Sequence, residues 1–365
     1  MFLIATRNFL PELGGIQILM TGLSDSLLDY GPVKVFAEYH PECETFDKKF
    51  KFDVTRVSGI KLFRKFRKAN LINDYMKENS SIRGLLCDHW KSLEYINSKS
   101  LEDKKTLCLI HSKEINHPIN SSLNKRIIRS LEKANFVISN SNYTKNLAIN
   151  IGISENKIKV IHPGINPPEK IDDKNKKEVE KILTNSFPCL ITVARLEKRK
   201  NHDKIIMSVR NLKEKFPKIK YVCIGNGQEE GKLKKLVSEL KLENEVIFKN
   251  NIDSNLKSAF LQKSDLFILP SVIYKSSVEG FGISFIEAGS YGTTSIGGKD
   301  GGESDSIIHE KTGLICDGND LDSIYKSIEY ILKEKKYLQL SQNALEFSKK
   351  FEWKNTVKKY MDLLR

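Results

Sequence analysis

Residues 189–227 read CLITVARLEKRKNHDKIIMSVRNLKEKFPKIKYVCIGNG, and their pattern decides the fold. Cys189–Ala194 is a mostly apolar run of strand length. From about Lys204 to Lys215 the period changes, and Ile205, Val209 and Leu212 fall three to four apart on one helical face. Tyr221-Val222-Cys223-Ile224 is again a strand-length run, and it ends on Gly225. Strand, amphipathic helix and strand make one β-α-β unit of a parallel sheet covered on both faces.

The same alternation extends outward to both ends of the chain. Before the quoted stretch, strand-like runs occur at Phe2–Thr6, Val33–Ala37, Gly84–Cys87, Leu107–Ile110, Phe136–Ser139 and Lys157–Ile161. After it they occur at Val246–Lys249, Leu266–Pro270, Thr294–Gly297 and Gly313–Cys316. A helical pattern shows at Ser130–Ala134. The series breaks at residues 164–187, where Pro167-Pro168 opens a polar, Lys- and Asp-rich run that reads as a link. The expected architecture is α/β, with two doubly wound Rossmann-like domains facing across a cleft. The N-terminal domain is expected over residues 1–165 and the C-terminal one over 166–350. A binding site is expected at the carboxyl ends of the strands.

A chain of 365 residues is long enough for two such cores. Its 39% hydrophobic and 29% charged residues exclude wholesale disorder, and no run approaches a membrane span of about 18 apolar residues. Six cysteines without a C-x-x-C spacing argue against a zinc site or redox pair, and Cys87, Cys108, Cys189 and Cys223 lie inside apolar runs. Buried thiols of this kind fit a reducing cytoplasm. The net charge of +14 suggests an anionic partner. It is not evenly spread, because residues 48–68 hold nine basic side chains and the single acid Asp53. From Lys61, the spacing of Leu62, Phe66, Ala69 and Asn73 suggests a helix with one apolar side, ringed by Lys61, Arg64, Lys65, Arg67 and Lys68. Such a helix can lie on an anionic membrane surface, or be no more than a solvated face. Nucleic acid is the least expected partner.

Three glycine turns follow strands. Gly14-Gly15, before a helical run with Leu19, Leu23 and Leu27, offers N–H groups to a phosphate but is also explained by a tight turn. Gly225-Asn226-Gly227 fails the dinucleotide pattern G-x-G-x-x-G, because position 230 is Glu230, and reads as a β-α turn. In Glu279-Gly280-Phe281-Gly282-Ile283-Ser284-Phe285-Ile286-Glu287, Gly282 opens a helix, and two acids eight positions apart lie on roughly one face. Arg195 and Lys200, just past Cys189–Ala194, are placed to hold a diphosphate, although a charge run is more often a solvated loop. His111 at the end of Leu107–Ile110 is read equally well as structural or functional.

Together these residues resemble the retaining GT-B glycosyltransferases of family 4, and among them the phosphatidyl-myo-inositol mannosyltransferase type. The matching segments are Val193–Lys200, Gly225–Gly227, Glu279–Glu287, Gly297-Gly298, Gly301-Gly302, Lys311–Leu314 and Phe351-Glu352-Trp353. Weaker matches are Gly14–Gln17, Ile110–Glu114, Ser139–Thr144 and His162–Gly164. The resemblance implies transfer of a hexosyl unit from a GDP- or UDP-sugar to a saccharide or lipid-linked acceptor, in the synthesis of surface glycans or glycolipids. It implies that Arg195 and Lys200, with the N–H groups of Gly282 and Ile283, neutralise the donor diphosphate, with Gly15 closing on it. Gly225, Gly280 and Phe281 would line the donor site. Glu279 would bind the donor sugar and Glu287 the ribose. His111, with Gly14, Gln17 and Glu114, would stand on the acceptor side. The closing helix, about residues 351–365, would return to the N-terminal domain. No metal or other cofactor is implied, and the expected location is cytoplasmic, at most peripheral on the inner membrane face. Asp320-Leu321-Asp322 is more simply a helix cap than a metal motif. Departures from the family pattern are Thr293-Thr294 and Asn201. An epimerase or phosphorylase on the same fold, or a non-catalytic sugar-binding protein, are the competing readings.

Overall fold

Apolar runs of three to six residues become strands because both faces of a parallel sheet are covered by helices. The computed structural model describes residues 1–12 and 14–365, so Leu13 of the Gly14-Gly15 turn lies outside the described residues. The chain divides into two compact units, Met1–Asn166 with Phe351–Arg365, and Pro167–Lys350.

Among the described residues of the first unit, seven parallel strands run in the order β3-β2-β1-β4-β5-β6-β7. They are β1 (Phe2–Ala5), β2 (Val33–Glu38), β3 (Asp53–Val57), β4 (Gly84–Cys87), β5 (Lys105–Ile110), β6 (Phe136–Ser139) and β7 (Ile158–Val160). The second unit holds β8 (Cys189–Val193), β9 (Lys220–Ile224), β10 (Val246–Lys249), β11 (Leu266–Leu269), β12 (Thr294–Gly298) and β13 (Gly313–Cys316), in the order β10-β9-β8-β11-β12-β13. Every expected strand is present. The unexpected one, β3, is an edge strand whose residues Asp53 to Arg56 are exposed or half-buried, so its sequence carries no apolar run.

Three helix expectations need correction. The helix sought at Ser130–Ala134 is Ser122–Leu131, started by the Ser121 hydroxyl accepting from the Asn124 N–H. The 164–187 link contains the helix Asp173–Ile182, which belongs to the second unit. It looked like a linker because only a thin stripe around Val179 is buried. The helix Lys61–Glu78 exists, but its buried face is Lys68, Ala69, Ile72 and Met76, while Leu62, Phe63, Phe66 and Leu71 remain exposed.

The closing helix Trp353–Leu364 packs on the first unit. Trp353, Val357, Tyr360, Met361 and Leu364 are buried with Leu19, Leu23 and Ile4. Five such side chains give a gross transfer gain on the order of 10 kcal/mol, which ties the end of the chain to the first sheet. All six cysteines are free and buried.

Candidate functional site

A doubly wound sheet has one place where chain order reverses, and loops on either side of it diverge to leave a crevice. In the second unit that place lies between β8 and β11, which pair through Leu266 with Leu190. Residues 194–201 leave β8 there and residues 270–282 leave β11. In the first unit it lies between β1 and β4, with Thr6–Asn8 on one side and Asp88-His89 on the other.

The second unit gathers its charges at this point. Glu279 accepts from Arg199 Nη1 at 3.0 Å and from Lys200 Nζ in a shorter contact. All three are largely shielded from solvent. Burial alone would push the Glu279 carboxyl up, but the Lys200 and Arg199 charges outweigh it and hold it at about 2. Burial pulls the Lys200 ammonium down, against the opposing pull of Glu279. The arrangement is a carboxylate kept ionised and two cations in a dry setting, where electrostatic terms are large.

Glu303 stands behind this group. It is fully buried, and neither carboxyl oxygen has a hydrogen-bond partner from another residue. Burial first, and then the Glu279 charge, raise its pKa well above the ordinary carboxylate value. Its neutral form is the one this surrounding favours. His202 is also buried with both ring nitrogens unpartnered, and burial followed by the Lys200 charge lowers it to about 3.

The backbone around the cluster requires glycine at two positions. Gly282 takes a φ of 83° and caps the helix Ile283–Ser290. Its left-handed turn separates Glu279 from the helix that carries Glu287, so the two acids do not share a helical face. Glu287 faces Lys257 at 3.4 Å instead. Gly225 has a φ of 142°, and a Cβ there would lie 2.1 Å from the Ala194 carbonyl oxygen. The loops after β8 and β9 can thus touch, joined by Leu196 N–H donating to the Asn226 carbonyl. Gly280 precedes the buried Phe281, whose carbonyl accepts from Ser306 Oγ at 2.8 Å. The N–H of Gly302 donates to the Glu279 carbonyl, which fixes the turn on β12's side.

Arg195 does not join Lys200. Its side chain is 71% exposed and pairs with Glu197 at 2.8 Å. The inward-facing partner of Lys200 is Arg199, which the charge run contained but spacing could not single out. Glu303 was missed as well, although it follows Gly301-Gly302 immediately. Asp320 caps the helix Leu321–Lys333 by accepting from the N–H groups of Asp322 and Ser323. Among the described residues, no three His, Cys, Asp or Glu side chains group as a metal site.

In the first unit the reversal point is built on Asp88. Its Oδ2 accepts from Thr6 Oγ1 at 3.0 Å and from the Arg7 N–H at 2.9 Å, and its Oδ1 accepts from Ser92 Oγ at 2.6 Å. Buried Lys68 donates to the Thr6 carbonyl at 2.7 Å. Burial would raise the Asp88 carboxyl, yet Lys68, His89 and these hydrogen bonds lower it overall. His111 is held from two sides. Its backbone N–H donates to Glu114 Oε1, and its Nε2 reaches the Asp88 carbonyl at 2.8 Å. The next residue, Ser112, has a φ of 94° and is fully buried, a strained conformation of the kind that accumulates at functional sites. Gly14 precedes the helix Gly15–Leu27, Gly15 begins it with open space around its Cα, and Gln17 is buried in its first turn. His89, two residues past the end of β4 in the same loop as Asp88, was missed.

Comparison with known proteins agrees with the fold. Residues 173–347 match the family model "Glycosyl transferases group 1", and residues 82–169 match "Glycosyltransferase Family 4". The chain is 22% identical over 350 residues to the GDP-mannose-dependent alpha-(1-6)-phosphatidylinositol monomannoside mannosyltransferase of Mycolicibacterium smegmatis, covering 91% of this chain and 89% of the relative. The Mycobacterium tuberculosis enzyme of the same name is 22% identical over 385 residues, covering 100% and 97%. Among solved structures, Anabaena Alr3699/HepE in complex with UDP superposes with a TM-score of 0.83 at 16% identity, covering 100% and 99%. Sucrose-phosphate synthase of Thermosynechococcus elongatus gives 0.79 at 19% identity, covering 99% and 97%. With two doubly wound parallel sheets and both family models matched, the chain is a GT-B glycosyltransferase and belongs to the group 1, family 4 glycosyltransferases.

Proposed function

We propose that the enzyme transfers a hexosyl unit, with retention of configuration, from a GDP- or UDP-sugar to a saccharide or lipid-linked acceptor in cell-surface glycan or glycolipid synthesis. The observation that carries this reading is the buried Arg199–Lys200–Glu279 group at the reversal point of the second sheet. A diphosphate leaving group gains negative charge as the sugar departs, and preorganised cations in a dry site stabilise that charge most in the transition state. Lys200 is the cation for this role, and the N–H groups of Gly282 and Ile283 at a helix start are further donors to the same anion. Arg195, exposed and held only by Glu197, is free to swing onto the diphosphate. Glu279, kept ionised, accepts from donor-sugar hydroxyls, and Glu287 from the ribose. His111 and Glu114, with Gly14 and Gln17, serve the acceptor side. The GDP-mannose and UDP named for the relatives support a nucleotide-sugar donor.

Among the described residues no helix is long and apolar enough to cross a membrane. A peripheral site on an anionic membrane face is supported by exposed Ile60, Leu62, Phe63 and Phe66 beside Lys61, Arg64 and Arg67. Four of the nine basic residues in 48–68 are taken up within the fold: Arg56 pairs with Asp47, Arg64 with Glu38 and Lys65 with Glu94, and Lys68 is buried. The remaining charge is ample for anionic lipid, at about 1 kcal/mol per residue near the surface.

The test is an assay with GDP-mannose and UDP-glucose, reading sugar transfer to membrane lipid extracts and to simple glycosides. Transfer with one donor, abolished by Glu279→Ala while the melting curve stays cooperative, supports the reading. Wild-type turnover by that variant removes Glu279 from the site. Product formed from donor alone, as an isomerised sugar, would replace transfer with epimerisation.

A further inference from the structure

Buried acids are normally paired with cations or donors, and Glu303 in the second unit is not. Its side chain is closed off from solvent, and among the described residues no other residue bonds either carboxyl oxygen. Its stem rests on β12, where a Cβ on Gly297 would come within 3.3 Å of the Glu303 Cβ. Its Oε2 lies over the bare Cα of Gly301. A Cβ there would meet that oxygen at 2.6 Å and the Glu279 carbonyl oxygen at 2.5 Å. Glycine at 301 thus leaves the small space in which Glu303 borders the Glu279 turn. The Gly302 N–H, donating to the Glu279 carbonyl at 2.9 Å, holds the two segments together.

The carboxyl makes no cap and no ion pair, so no structural contact accounts for an acid here. What it can change is charge. The Arg199–Lys200–Glu279 group holds two cations and one anion, a net charge of +1. A protonated Glu303 leaves that excess intact, and an ionised one cancels it. We propose that Glu303 is a charge-setting residue of the second unit: with its proton bound, the group keeps its positive excess and takes a nucleotide diphosphate, and with the proton lost it holds that anion less tightly. Binding is then coupled to proton uptake, because the incoming anion favours the neutral acid. The proposal rests on the reading of this group as the diphosphate site.

The groups that act on Glu303 come from three elements. They are Glu279 from the loop after β11, Lys200 and Arg199 from the loop after β8, and Cys316 at the end of β13. Burial first, and then Glu279, favour the protonated acid, against the weaker pull of Lys200 and Arg199. His202 beside Lys200 is held neutral and adds no charge. Other charges on the packed elements are engaged elsewhere: Glu287 with Lys257, Lys299 with Asp317, and Asp300 with the Asn319 amide. Asp305 is half-buried on Glu303's own short helix.

The test is calorimetric titration of the full chain with UDP-glucose and GDP-mannose between about pH 6 and 9, each in two buffers of different ionisation enthalpy. The sugar-esterified diphosphate has no proton to lose in this range. Wild type is expected to take up part of a proton on binding, and its affinity to fall as pH rises. Glu303→Gln carries the neutral shape at every pH. It is expected to lose that share of the uptake and to bind about tenfold more tightly than wild type by pH 9. Glu303→Met, also uncharged, is expected to show the same levelled profile, which removes any special effect of the amide. Titration of Lys200 and of the nucleobase is common to all three proteins and drops out of the comparison. A side chain that only packs would move the melting temperature and leave the pH profile alone. Equal pH profiles in wild type and either folded variant, or no proton uptake by wild type, overturn the proposal and leave the diphosphate site standing. Failure of wild type to bind either nucleotide sugar at any pH overturns the diphosphate reading, and this proposal with it.

Discussion

The two reversal points place a buried carboxylate in the same topological position but satisfy it differently. Asp88 in the first unit is surrounded by donors: a hydroxyl from Thr6, another from Ser92, the N–H of Arg7, and Lys68 nearby. Glu279 in the second unit is held by charge, on Lys200 and Arg199, with Glu303 and His202 left unpartnered beside it. A carboxylate saturated by hydrogen bonds fixes backbone loops and has nothing left to offer a ligand. One held by cations can exchange them with an anion that brings its own charge. The first unit is therefore built to hold side chains such as His89 and His111 in place, and the second to accept a strongly charged group.

The comparison breaks most visibly if the two carboxylate sites respond alike to losing a partner. Asp88→Asn leaves Lys68 buried without its countercharge and is expected to cost about 3–5 kcal/mol of stability in urea unfolding. The nucleotide affinity of the protein that remains folded is expected to stay unchanged. Lys200→Ala is expected to cost less stability, because Arg199 still faces Glu279, yet to lower transfer by about 100-fold or more. Similar loss of nucleotide binding in both variants would erase the distinction between the units.

Acid sharpens the same contrast. His89 in the first unit and His202 in the second are both held near 3 when folded, against about 6.5 unfolded. Depressed folded values mean that the unfolded chain binds more protons, so this stability is complete above about pH 6.5 and is lost as pH falls toward 3. Each histidine contributes on the order of 4 kcal/mol over that window. Glu279, at about 2 when folded, adds its loss lower, from about pH 4.5 down to 2, worth about 3 kcal/mol. Urea midpoints measured from pH 7.5 to 4 are expected to fall steeply below 6.5, and His202→Gln is expected to flatten part of that slope. A flat profile above pH 5 would mean that these rings are not buried neutral.

The smallest expected effect concerns Glu303. Its raised pKa means that the folded state holds its proton to higher pH than the unfolded state does, which weakens folding above the ordinary carboxylate pKa. Glu303→Gln keeps the shape and removes that cost, so it is expected to raise stability at pH 7 and to add less at pH 4. Destabilisation at pH 7 would show an ionised, partnered Glu303.

Much of this was legible in the sequence. Apolar runs located every buried strand, because a strand covered on both faces has no freedom to be polar. The exposed edge β3 escaped for the converse reason. Glycine turns were legible, and Gly282 opens its helix as read, but its left-handed turn takes Glu279 off the face that carries Glu287. Which basic residue turns inward was not legible, since Arg195 and Arg199 differ only in how the loop after β8 folds through Lys198–Lys200. The helix Lys61–Glu78 gave a similar difficulty. Its apolar residues fall on two faces, and only packing against β2 and β3 decides that Ala69, Ile72 and Met76 go inside while Leu62 and Phe66 stay out.

The measurement that tests the central claim most directly is the thermal stability of wild type and Lys200→Ala with UDP, GDP and ADP, each at rising concentration. One nucleotide at 100 times its Kd is expected to stabilise the wild type by about 2.7 kcal/mol, and Lys200→Ala is expected to lose most of that gain at the same concentration. No stabilisation of the wild type by any of the three, or an equal gain in both proteins, would contradict the assignment of the Arg199–Lys200–Glu279 group to a nucleotide diphosphate.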